Sequence, residues 1–96
     1  MKITKNQIRQ VLSRMAQHGK RYYVDVHNNI GPVKVHYVYE HKCFGLFGFD
    51  NQGWGETNTQ ADAVRLVARA IRMIEAGLPN TPEAEASLNP HGKAKP

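Results

Sequence analysis

A few side chains in this 96-residue sequence have the types that hold a metal or attack a substrate. His36, His41 and Cys43, with His27 upstream, offer the imidazoles and thiol that zinc accepts. Structural zinc sites are usually built from closely spaced pairs such as C-x2-C, whereas His36 and His41 fall on opposite sides of a tight hairpin. Cys43 beside His41 also has the types of an activated nucleophile. No third residue orients the base, however, and no oxyanion-hole signature accompanies it. Gly53 and Gly55 precede a helix without the lysine or the spacing of a phosphate-binding loop. No metal, no cofactor and no catalytic role is expected.

What the chain concentrates is recognition chemistry. "KCFGLFGFDNQGWGET", residues 42–57, contains all three phenylalanines, the only tryptophan and four of the eight glycines. Rings at that density suggest a buried strand, and bare backbone among them suggests that something approaches the strand closely. The net charge is +5, with 13 Lys and Arg against 8 Asp and Glu, which favours anionic partners. At about 100° per residue, Arg65, Arg69 and Arg72 fall in one stripe of a helix. Three guanidiniums in a row can follow a phosphate backbone or grip an acidic protein.

The elements that must position these groups follow from periodicity. Thr4 and Gln7 form a capping-box pattern, and Ile8, Val11, Leu12 and Met15 recur at helical spacing up to Gly19, a left-handed exit. A helix over about 4–18 is expected. The period then becomes two: Tyr22, Val24 and Val26 share one face of a strand, and Tyr23, Asp25 and His27 the other. A turn at 28–32 leads into a second strand with Val33, Val35, Tyr37 and Tyr39 on one side. Placing Asn28 opposite Gly31 pairs Val26 with Val33 and Tyr22 with Tyr37. A tight turn at His41-Lys42, with Glu40 opposite Cys43, feeds a third strand and sets Gly48 opposite Val35. Asp50-Asn51-Gln52-Gly53 is a further turn, which a short fourth strand around Trp54 can follow. Thr59 with Asp62 caps a second helix carried by Val64, Val67, Ala68, Ile71 and Ile74, and Gly77 ends it.

The expected fold class is α+β: an N-terminal helix, a three-stranded antiparallel meander and a C-terminal helix, with both helices on one sheet face. It forms a single αβββα domain over 1–78, with a flexible C-terminal tail over 79–96. The other sheet face is then open. The expected register lines up Tyr23, His36 and Phe47 across it, with Lys34 and Phe49 one row along and Val38 on the other side. Exposed aromatic patches mark contact sites, and rings flanked by Lys and His are what single-stranded nucleic acid stacks upon. Leu66, Ala70 and Met73 form a further row suited to helix packing or to a homodimer, and a second copy could also cover the sheet face.

Hydrophobic residues at 41% and charged residues at 22% are globular values, and no apolar run reaches the roughly 18 residues of a membrane span. The opening MKITKNQIRQ enters a polar helix pattern, so no secretory signal is expected. The lone Cys43 excludes an internal disulfide and fits a reducing, cytoplasmic location.

Over residues 4–77 the order of elements resembles the double-stranded-RNA-binding domain. "IGPVKVHYVYE" (30–40) looks like that family's Gly-Pro and second strand, and "GWGETNTQADAVRLVARAIRMI" (53–74) like its Gly-x-Gly lead into an alanine-rich helix. The resemblance implies RNA binding. Where the family places paired lysines at the start of that helix, this chain has Thr59, Gln60, Ala61 and Asp62, none of them cationic. In size and style, a short basic non-catalytic domain is similar to accessory proteins of phages and mobile elements, anti-CRISPR inhibitors among them. Two functions are therefore expected as alternatives: a module that binds nucleic acid or a nucleoprotein, and a protein-binding inhibitor or adaptor.

Overall fold

The computed structural model describes residues 2–88. Helix α1 spans Lys5–Tyr22 and begins at the expected capping box: the Gln7 amide donates to the Thr4 hydroxyl, and the Thr4 amide donates to the Gln7 side chain. Ile8, Leu12 and Met15 are buried on one face. The helix runs past Gly19, which lies inside it and faces the sheet. A Cβ there would stand 2.8 Å from the Tyr37 ring, so this glycine permits a close helix–sheet approach. The left-handed exit is taken by Tyr23, at φ 56° and ψ 45°, whose N–H donates to the Gly19 carbonyl. Tyr22 and Tyr23 are thereby removed from the strand expected for them.

One sheet follows, of strands β1 (Val26–Ile30), β2 (Val33–Val38), β3 (Cys43–Gly48) and β4 (Gly53–Thr57), antiparallel in the order β1-β2-β3-β4. A three-stranded meander was expected, with a short fourth strand around Trp54 as an option, and four strands form. The first hairpin turns at Gly31-Pro32, with Gly31 at φ 57°, so Ile30 pairs with Val33 and Val26 with Tyr37. Relative to the expected register β1 has slid by four residues, which lets the apolar Ile30 be buried instead of standing in a turn. The second hairpin pairs Val38 with Cys43, two residues from expectation. A turn over 39–42 is closed by the Lys42 amide on the Tyr39 carbonyl, with Lys42 at φ 50°. Both slides are even, so each residue that remains in the sheet keeps its expected face.

Gly48 accordingly lies opposite Val33 rather than Val35. Asp50 and Trp54 fill the space it leaves: Asp50 Oδ1 would be 2.7 Å and Trp54 Nε1 3.2 Å from a Cβ at Gly48. Between Leu46 and Phe47 the β3–β4 register shifts: Leu46 pairs with Gly55 and Phe47 with Gly53, leaving Trp54 outside the pairing. Such an inserted residue breaks the strict alternation of faces. Trp54 is buried in the core as a result.

Helix α2 spans Gln60–Glu75, capped by the Thr59 hydroxyl on the Asp62 amide. It leaves through Gly77 at φ 71°, where the Gly77 and Leu78 amides donate to the Ile74 and Met73 carbonyls. Ile8, Leu12 and Met15 of α1 and Val64, Val67, Ala70 and Met73 of α2 share one core with Val33, Val35, Tyr37, Phe44, Leu46 and Trp54. Both helices therefore lie on the same face of the sheet.

Residues 79–88, expected as the start of a flexible tail, return to the domain. Helix α3 (Pro82–Ala86) is capped by Thr81, and Ala84 and Leu88 pack against the core. Polar groups hold the segment where its few apolar ones would not: Asn80 donates to the Gly53 carbonyl at 2.9 Å, and Glu85 pairs with Arg69 at 3.0 Å. The rest of the expected tail, 89–96, lies outside the described residues.

Candidate nucleic-acid interface

The sheet face opposite the helices is covered by no element among the described residues. Pairing with the buried positions places His27 and Asn29 of β1, Lys34, His36 and Val38 of β2, Gly45 and Phe47 of β3 and Glu56 of β4 on it. The imidazoles of His27 and His36, cross-strand neighbours, are stacked with centroids 4.0 Å apart and planes 14° from parallel. His36 lies opposite Gly45, and Phe47 leans along β3 over that glycine: a Cβ at Gly45 would be 3.4 Å from Phe47 Cε2. The Phe47 ring thus lies along the strand at the level of the histidine pair, and 41% of Phe47 remains exposed.

Charge is placed at the two ends of this platform. Lys34 pairs with Phe47 across the strands, donates to Asn51 Oδ1 at 3.0 Å and stands 5.9 Å above the Phe49 ring. Asn51 is set in the left-handed region, at φ 66°, by a turn in which its amide donates to the Gly48 carbonyl. Beyond the histidines, Asp25 accepts from the Tyr39 amide at 2.8 Å with one oxygen and approaches His36 Nε2 to 3.7 Å with the other. That second contact is too long for a hydrogen bond, and His36 Nε2 is covered without a hydrogen-bond partner among the described residues. His27, Asn29, Lys34, His36, Phe47 and Asn51 enclose an open depression of about 360 Å³.

Of the residues expected to form the surface, Lys34, His36 and Phe47 come together, and Phe49 joins them from beyond the end of β3, 62% exposed. Tyr23 does not. It caps α1, packs edge-on against Tyr39 with centroids 5.5 Å apart, and is 72% exposed. His27, Asn29 and Asn51 were missed as site residues. His27 had been placed on this face, but only the Gly31-Pro32 turn brings it beside His36.

The arginine stripe is broken. Arg69 donates to Asn80 Oδ1 at 2.8 Å, pairs with Glu85 and lies over the Trp54 ring, with 18% of its side chain exposed. It fastens α3 to the domain. Arg65 is exposed and pairs with Asp62; that hydrogen bond, with one from Thr59, holds the Asp62 carboxyl below its usual range. Arg72 is exposed. All three belong to a helix on the covered side of the sheet, away from Phe47. Burial, and then the neighbouring Tyr39, pushes the Tyr37 phenol up, in keeping with its place in the core.

No three His, Cys, Asp or Glu side chains among the described residues come together to hold a metal. Among those residues no helix is long and apolar enough to cross a membrane. No protein-family model matches the chain, and no curated protein or solved structure is significantly similar to it.

Proposed function

We propose that this chain is a non-enzymatic binding module that holds nucleic acid, free or within a nucleoprotein, on the open face of its sheet. The observation that supports this reading most is Phe47 laid over bare Gly45, level with the His27/His36 stack and next to Lys34. A π surface beside a cation complements a base and its phosphate together. The excess of basic residues over acidic ones acts in the same direction. A cytoplasmic setting suits this role and the lone cysteine. Titrating a fluorescein-labelled oligonucleotide by anisotropy tests the reading: Lys34→Glu should weaken binding, and raising salt should weaken it steeply. Absence of any binding near physiological salt would remove it.

A second reading has its own support. Tyr22, Tyr23 and Val24 are consecutive, exposed and held by a turn in which the Tyr23 and Val24 amides both donate to the Gly19 carbonyl. Consecutive exposed apolar side chains favour a protein partner. This is the surface for an inhibitor or adaptor of phage or mobile-element type, of the anti-CRISPR kind, docking on a host macromolecule. Its binding should respond little to salt and should be lost on Tyr23→Ala. Dimerisation through Leu66 and Met73 has little support, since Met73 is buried and Leu66 packs 3.3 Å from where a Gly55 Cβ would stand. The sheet face remains as a surface for a second copy.

A further inference from the structure

We infer that the depression on the open face seats one unpaired nucleobase, stacked on Phe47, with its phosphate at Lys34, so that the protein selects single strands over duplexes. This rests on the nucleic-acid reading above and narrows it. The depression, about 360 Å³ between the histidine stack, Phe47 and Asn51, is at the small end of ligand sites, which run from about 300 to 1,000 Å³. That suits one nucleotide. A duplex keeps its base faces stacked on one another, so a ring lying along a sheet surface, as Phe47 does over Gly45, has no base face to meet in it. An unpaired base offers that face.

The polar rim orients the nucleotide. Lys34 gives one N–H to Asn51 Oδ1, and its ammonium retains donors for a phosphate. The Asn29 side chain shares the face beside Lys34, so its amide group and the Asn51 NH2 can meet base edges. The anionic groups bound the path. Glu56 lies opposite Gly45 on β4, and Asp25 lies at the His36 end. Asp50, next to Asn51, turns its carboxylate toward the covered side, where Oδ1 accepts from the Gln52 amide and would stand 2.7 Å from a Cβ at Gly48. A strand of phosphates is therefore directed along the Asn29, Lys34 and Asn51 side, away from Glu56 and Asp25. The His27 and His36 imidazoles form the wall between Asp25 and the base.

The test compares short single-stranded DNA, single-stranded RNA and a DNA duplex of the same sequence, each fluorescein-labelled, by anisotropy with the full chain. Both single strands should bind more tightly than the duplex; the ratio between them tells which sugar the rim prefers. Phe47→Ala should weaken single-strand binding by roughly 5- to 150-fold, the loss of one base–aromatic stack. Phe47→Trp should retain it, with both variants folded and Phe47→Ala melting no more than about 8 °C below the parent. Lys34→Ala should lower the salt slope by about one for the single strand. Equal affinity for duplex and single strand, or an equal loss on both from Phe47→Ala, would overturn the base seat while leaving nucleic-acid binding in place. Failure of all three probes to bind near physiological salt would overturn both readings.

Discussion

Gly45 and Gly48 belong to the same strand and face opposite sides of the sheet, and the rings that approach them have opposite fates. Gly48 opens space on the covered side, and Trp54 fills it from β4 and is sealed into the core. Gly45 opens space on the uncovered side, and Phe47 lies across it with no element of the described residues above. In both places an aromatic ring lies against a residue without a side chain, tightly at Gly48 and at ordinary contact distance at Gly45. What differs is whether helices cover the ring. One ring therefore holds the fold together and the other is free to meet a partner.

The two rings give the sharpest contrast. Trp54→Ala removes a buried side chain and should lower stability by about 3–5 kcal/mol in urea denaturation. Phe47→Ala should cost about 1 kcal/mol or less, because much of the ring is already in water. Equal losses would make Phe47 a core residue and erase the distinction between the faces.

The glycines themselves should separate next. A Cβ at Gly48 would meet Asp50 Oδ1 at 2.7 Å and Trp54 Nε1 at 3.2 Å. Gly48→Ala should therefore cost about 1–3 kcal/mol, the usual penalty of overpacking. At Gly45 the nearest atom is 3.4 Å away, an ordinary contact. Gly45→Ala should change stability by no more than about 1 kcal/mol, with a gain expected from the reduced backbone entropy of the unfolded chain. Gly45→Val should tilt the Phe47 ring off the strand and weaken oligonucleotide binding at unchanged melting temperature. A stable variant with full binding would show that the ring's position is irrelevant to recognition.

The same contrast recurs on α2 at smaller scale. Arg69→Glu breaks hydrogen bonds to Asn80 and Glu85 and places two carboxylates together. It should cost about 1–3 kcal/mol, as charged hydrogen bonds do, and release α3 to proteolysis. Arg65→Glu, at an exposed position, should cost no more than about 0.5 kcal/mol. If Arg69→Glu were equally silent, the docking of residues 79–88 would contribute nothing to the fold.

Short-range chemistry made part of this structure legible in the sequence. The Thr4–Gln7 capping box and the Thr59 cap depend on groups three residues apart. The Gly77 exit closes within five. The faces of β2 and β3 follow from a period of two that survives any even slide. Long-range contact decided the rest. Gly19 reads as a helix end until Tyr37 is seen against it, and Arg69 reads as part of a free stripe until Asn80 and Glu85 return to it. Trp54 enters the core through a register shift that no alternation of GWGET announces. The candidate site divides the same way. Phe47, His36 and Lys34 were assigned to the open face by strand period alone. The seat they form with His27 and Asn51 was decided by the Gly31-Pro32 turn, the 48–52 turn and the lean of one ring over one glycine. Strand period and helix caps are local properties of the backbone, whereas register and ring placement are set by which distant surfaces can be buried together.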